Sequence, residues 1–149
     1  MTTAICYQSR HHGNTRKVLE AMASAGDADL IDVTSRIAPR LDRYDLVGFA
    51  SGIYFGRFHE TVLRYAEQYL PQGKDVFLVS TYGAPGRHHL DAIRAVVRAK
   101  GCPVLGEFGC RGWDTFGPFR LVGGLAKGHP DEEDLRQAAE FFRGLSART

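Results

Sequence analysis

Ala4-Ile5-Cys6-Tyr7, followed by Ser9-Arg10-His11-His12-Gly13-Asn14-Thr15, decides how this chain folds. The first four residues read as a short apolar strand, and the next seven as a turn rich in glycine and hydroxyls. An amphipathic helix follows from about residue 14. The first N–H groups of a helix lack intrahelical partners and carry partial positive charge. An anion held there gains hydrogen bonds and dipole attraction together. The stretch therefore predicts an α/β protein with a phosphate-binding turn after its first strand.

The rest of the chain repeats the alternation. Strands are expected near 3–7, 29–33, 45–51, 75–80 and 103–110, and helices near 14–25, 58–70, 87–100 and 131–146. The runs at 45–51 and 75–80 are nearly continuous apolar segments bounded by polar residues, as parallel strands covered on both faces require. Pro130-Asp131-Glu132-Glu133 suits the start of the last helix. Residues 34–43 read as a short or irregular crossover. The expected architecture is a three-layer, doubly wound, five-stranded parallel sheet in one domain over 1–149. In such sheets ligands sit outside the carboxyl ends of the strands.

Three turns lie at those ends. In the first, Gly13 admits close backbone approach to a phosphate, Ser9 and Thr15 offer hydroxyls, and Asn14 can cap the helix or bond a phosphate oxygen. The turn has neither the lysine ending of a P-loop nor a Gly-x-Gly-x-x-Gly pattern. The second, Gly52-Ile53-Tyr54-Phe55-Gly56 after Ser51, sets aromatics between glycines, where a flat ligand could cover them. The third, Thr81-Tyr82-Gly83-Ala84-Pro85-Gly86, places another aromatic beside glycines and a hydroxyl. Together they fit a ligand with a phosphate tail and a planar, partly polar ring. Flavin mononucleotide (FMN) is such a ligand.

Composition narrows the alternatives. The chain has 149 residues, 44% of them hydrophobic, and a formal charge of +2 from 19 basic and 17 acidic residues. No basic stripe suits nucleic acid. No apolar run is long enough to span a bilayer, and the N-terminus lacks the basic region of a signal peptide. A cytoplasmic protein is expected. Cys6, Cys102 and Cys110 read as buried, inert thiols rather than a disulfide framework. The histidine pairs His11-His12 and His88-His89 lack ligand spacing, so no metal is expected. No catalytic nucleophile is expected either. Arg94, Arg98, Lys100 and Glu132 to Asp134 read as solvated helix faces. A phosphoacceptor receiver would need acidic residues where Gln8, Ser51 and Gly52 stand.

At these turns the chain resembles the flavodoxin family. Ile5 to Val18 is similar to the family's phosphate loop, in which a hydroxyl residue precedes Thr-Gly-x-Thr. Gly13-Asn14-Thr15 matches that pattern. His12 stands where a threonine is usual, and the turn is one residue longer. The resemblance extends through the loops at 52–58 and 80–86, where the family places flavin contacts. It implies strand order 2-1-3-4-5, non-covalent FMN, and electron transfer with a redox partner protein, as monomer or homodimer. Ser9, Arg10, His11, His12, Gly13, Asn14, Thr15, Ser51, Gly52, Ile53, Tyr54, Phe55, Gly56, Thr81, Tyr82, Gly83 and Gly86 are the implied cofactor residues. The alternative on the same fold is a small FMN-dependent NAD(P)H:quinone or protoporphyrinogen-type oxidoreductase. Family electron carriers are strongly acidic and this chain is not, so it suits a different partner. Trp113, in the long segment after the fifth strand, could cover the ring, meet a partner or pack on the last helix.

Overall fold

A computed structural model describes residues 1–8, 13–35, 39–113 and 126–147. Its elements are β1 (Thr3–Gln8), α1 (Asn14–Ala25), β2 (Asp29–Asp32), β3 (Leu46–Tyr54), β4 (Arg57–Phe58), α2 (Glu60–Tyr69), β5 (Asp75–Tyr82), α3 (Asp91–Ala99), β6 (Val104–Arg111) and α4 (Glu132–Ser146). The main strands are parallel in the order β2-β1-β3-β5-β6, and β4 pairs only with the end of β3. With the two-residue β4 set aside, this is the expected 2-1-3-4-5 arrangement. Among its described residues, the crossover at 34–43 holds one 3-10 turn, Leu41–Arg43.

Alternation along the strands sends side chains to two separate cores. Cys6, Phe49 and Leu78 stand in register and pack on one face with Val62, Ala66, Ile93 and Val97 of α2 and α3. Ile5, Ala50 and Val79 point to the other face, against Val18, Leu19 and Met22 of α1 and Ala138, Phe142 and Leu145 of α4. All six residues of β1 are buried, which explains why its sequence is apolar without a polar face. Each large side chain fully buried in these cores stabilises the fold by roughly 1.5–3 kcal/mol.

Gly48 shows why a glycine sits mid-strand. A Cβ there would lie 2.4 Å from the Phe77 ring, so the central strand gives up a side chain to let that ring fill the α1/α4 core. Phe77 in turn meets Phe142 at 6.0 Å between centroids. The three thiols are all buried and unpaired with one another. No helix among the described residues is long and apolar enough to cross a membrane.

Candidate functional site at the carboxyl ends of the strands

The apolar rows of the sheet end abruptly in polar ones. Gln8, Ser51 and Ser80 are mutual register partners across β1, β3 and β5, one step beyond Tyr7, Ala50 and Val79. All three are buried. The Ser51 hydroxyl donates to the Gly52 carbonyl at 2.5 Å and accepts the His59 N–H at 2.9 Å. Gly109 makes room for Ser80, because a Cβ there would lie 2.9 Å from its Oγ. Gln8 is different: it is 1% exposed, and neither its Oε1 nor its Nε2 has a hydrogen-bond partner. A buried amide left so costs about 1–3 kcal/mol. Sequence reasoning weighed Gln8 only as a residue that is not acidic. The overlooked signal was a carboxamide closing an otherwise apolar central strand.

The next described element in the chain is α1. Gly13 holds φ +67° ahead of the first helical residue, so the helix begins from a left-handed residue with no side chain to cap it. The first turn contains no acidic residue, although Arg16 and Lys17 fall in it. Cations there oppose the helix dipole. Arg16 is drawn aside by Glu20 at 3.0 Å and by the Tyr7 hydroxyl. The helix α4 is built the opposite way. Asp131 accepts the Asp134 N–H at 2.9 Å, and Asp134 accepts both the Asp131 N–H at 2.9 Å and His129 Nδ1 at 2.7 Å. The α4 start supplies its own negative charge, and the α1 start does not.

Two hydrogen bonds tie the start of α1 to the sheet and to the segment just beyond β6. Thr15 Oγ1 and Thr81 Oγ1 share a hydrogen bond of 2.8 Å. Asn14 Nδ2 donates to the Trp113 carbonyl at 2.8 Å, while Asn14 Oδ1 is buried without a partner. Gly112 permits this approach, since a Cβ there would come 2.6 Å from Asn14 Nδ2. Trp113 is held further by its N–H on the His129 carbonyl at 2.8 Å.

The second turn of the sequence reading is a hairpin. β3 continues through Tyr54, which pairs with Arg57 of β4. Phe55 at φ +50° and Gly56 at φ +77° make the two-residue connection. Positive φ at both positions matches the twist of a tight hairpin and favours Asn-Gly. A phenylalanine in its place is strained, and this one is 87% exposed. Tyr54 folds back over Gly52 and meets His59 edge-on at 5.1 Å. Ile53 packs against the α2/α3 core.

The third turn begins later than expected, because β5 runs to Tyr82. Thr81 is therefore a strand residue, buried on the α1 side. Tyr82 lies 5.4 Å from the His89 ring, and Gly86 leaves space for His89 Nε2, 2.6 Å from where its Cβ would stand. Burial pushes the His89 pKa down. The Gly83 carbonyl accepts two bonds from Arg111, at 3.1 and 2.8 Å. Burial pushes the Cys110 thiol up to about 12, with Asp134 and Asp131 adding to the shift.

Gly13, Asn14 and Thr15, Ser51 to Gly56, and Thr81, Tyr82, Gly83 and Gly86 thus all stand at one end of the sheet. Ser9, Arg10, His11 and His12 lie outside the described residues. The helix charges are less solvated than expected. Arg94 forks onto Glu107 of β6 at 2.7 and 2.6 Å, Lys100 donates to the Leu70 carbonyl at 2.8 Å, and Asp134 belongs to the α4 cap.

The model of a flavodoxin domain family matches residues 4–89. An uncharacterized protein of Methanocaldococcus jannaschii is 37% identical over 148 residues, covering 97% of this chain and 98% of its own. Among solved structures, oxidised Flavodoxin 2 from Bacillus cereus superposes with a TM-score of 0.75 at 16% identity, over 100% of both chains. An archaeal flavodoxin superposes at 0.69 and 17% identity, over 99% of this chain and 98% of its own. At such identities the structural likeness concerns the fold.

Proposed function

This chain belongs to the flavodoxin domain family, and from that premise we propose that it holds FMN at the carboxyl ends of its strands and exchanges electrons with a partner protein. The observation that carries this reading is the junction of β1 and α1. A left-handed glycine opens the helix, no first-turn acid competes for its N–H groups, and the carboxamides of Gln8, the last residue of β1, and Asn14, the first of α1, keep unpartnered atoms. A phosphate monoester would supply the charge that this helix start lacks.

In this reading the residues divide the work. Gly13, Asn14 and Thr15 hold the phosphate end, with the Thr15–Thr81 bond fixing the helix against β5. The hairpin 52–56 presents Phe55 as the ring that stacks on the isoalloxazine, which would cover its exposed face. Thr81, Tyr82, Gly83 and Gly86 form the opposite wall. His89, kept neutral by burial, adds no charge beside that wall. The bound flavin supplies the redox chemistry, and the chain tunes it through solvent exclusion and hydrogen bonding.

Titration of the purified protein with FMN tests the reading. We expect stoichiometric uptake, with flavin bands near roughly 375 and 450 nm and quenched fluorescence. Failure to take up FMN would reject it. NAD(P)H oxidation by the loaded protein alone would move the reading to an oxidoreductase.

A further inference from the structure

The sheet has two edges, and they are built differently. β2, at one edge, is four residues long with an exposed aspartate at each end. Short, charged edges resist pairing with another chain. β6, at the other edge, runs for eight residues, and no described strand lies beyond it. Pro103 and a register shift at its start confine further pairing to its later part.

In a parallel ladder, successive residues send their N–H and C=O groups alternately to one neighbour and to the other. The Gly112 N–H goes to the Tyr82 carbonyl of β5, so Cys110 and Phe108 also face β5. Glu107, Gly109 and Arg111 therefore direct their backbone groups away from the sheet, and these have no hydrogen-bond partner among the described residues. All three residues are exposed. Unpaired groups in a row are a template for an added strand.

The side chains decide which strand fits. Along the outward positions the edge reads Glu107, Gly109, Arg111. An antiparallel copy of β6 with Gly109 opposite Gly109 pairs all three residues. It also sets Glu107 opposite Arg111 of the second copy, twice by symmetry. Opposite charges so placed attract, whereas registers that set Glu107 against Glu107 or Arg111 against Arg111 are repelled. Gly109 leaves the two-fold axis free of side chains on the α3 face. On the α4 face, Phe108 is half-buried against Phe141, 5.6 Å between centroids, and a neighbouring strand would cover more of it.

We propose that the chain forms a two-fold dimer by antiparallel pairing of β6 with β6, centred on Gly109 and held in register by Glu107 and Arg111 of opposite copies. Arg111 holds the Gly83 carbonyl with Nε and Nη2, which leaves Nη1 for the second copy's Glu107. Glu107 then lies between that group and Arg94 of its own α3, at 2.7 and 2.6 Å. One sheet runs through both copies, and the two candidate cofactor sites face away from one another. The dimer needs no cofactor, so the inference goes beyond the electron-transfer reading without resting on it.

Sedimentation and hydrogen exchange of the full chain test the pairing. The average mass should rise from monomer towards dimer between roughly 10 µM and roughly 1 mM. The amides of Glu107, Gly109 and Arg111 should gain protection over the same range, while the outward amides of β2 should not. The variants that discriminate are E107R and R111E. Alone, each sets like charges opposite one another and should dimerise more weakly, on the order of tenfold or more. Mixed in equal amounts, they place Glu opposite Arg at both positions and should recover the dimer, which also shows that both fold. A native chain that stays monomeric at about 1 mM would overturn the proposal. So would either variant dimerising as the native chain does, a mixture no better than its components, or protection at β2 instead of β6. FMN uptake is read separately from the visible spectrum. Dimerisation without FMN uptake rejects only the cofactor reading, and uptake by a strictly monomeric chain rejects only the dimer.

Discussion

Replacing Gln8 by Met should stabilise the free protein and weaken its hold on FMN. Met is the unbranched apolar side chain nearest to Gln in shape, so the swap leaves little cavity. Gln8 is 1% exposed with both amide atoms unpartnered. Removing that unsatisfied amide should return about 1–3 kcal/mol. In a chain of 149 residues each kcal/mol moves the melting temperature by roughly 2–4 °C. The free variant should therefore melt about 2–12 °C higher. With FMN part of that gain is lost. If the amide serves the bound nucleotide, its loss removes about 1 kcal/mol of binding, roughly fivefold in Kd. At a concentration near 100 times the native Kd, ligand stabilisation then falls from about 2.7 to about 1.8 kcal/mol. Thermal melts with and without FMN measure both numbers in one experiment. A free variant destabilised by more than about 1 kcal/mol would refute the reasoning, because it would show an amide already satisfied before any ligand arrives.

Other residues of the site make independent demands. Gly13→Ala should cost about 1–2 kcal/mol in urea unfolding, purely from φ +67° since nothing lies within 4 Å of the added Cβ. Gly13→Asn should cost less, and an equal loss for both would contradict a conformational cause. Thr15→Val should cost about 1–3 kcal/mol by stranding the Thr81 hydroxyl, with the Thr15→Val/Thr81→Val double variant recovering most of it. Strict additivity in that double-mutant cycle would mean the two hydroxyls do not depend on each other. Burial pushes Cys6 and Cys110 up to about 12, so at about pH 8 iodoacetamide should label neither in the native state and both in urea. Stoichiometric native labelling would show that this end of the sheet opens readily.

The architecture was legible because burial on both faces leaves a plain trace in sequence. β1, β3 and β5 are apolar runs with polar ends, and side chains are given up within them only at Gly48 and Gly52, both in β3. What escaped was pairing at long range. Nothing local in Arg94 points to Glu107, and nothing in Thr15 points to Thr81, 66 residues away. The hairpin was hidden for a different reason. Its turn is normally announced by Asn-Gly, and here Phe55 takes the first position, so the segment read as a loop. The extents of β3 and β5 were missed because Tyr54 and Tyr82 follow glycine or hydroxyl residues that usually mark strand ends.

That mismatch at Phe55 belongs with the unpaired amides rather than with accident. A sequence selected for stability alone would place Asn at a left-handed hairpin residue, an apolar side chain at Gln8, and an acid in the first turn of α1. Each of those choices is open to a chain that makes them elsewhere. Asp131 and Asp134 cap α4 in full, Ser51 bonds the Gly52 carbonyl and the His59 N–H, and Ser80 is accommodated by Gly109. The unfavourable choices all fall at the carboxyl ends of β1 and β3, within the strand order that leaves a crevice there. A ligand that stacks on Phe55, bonds the amides and neutralises the α1 start would offset all three penalties together. Stability given up at three points that one ligand can restore is what a binding site requires.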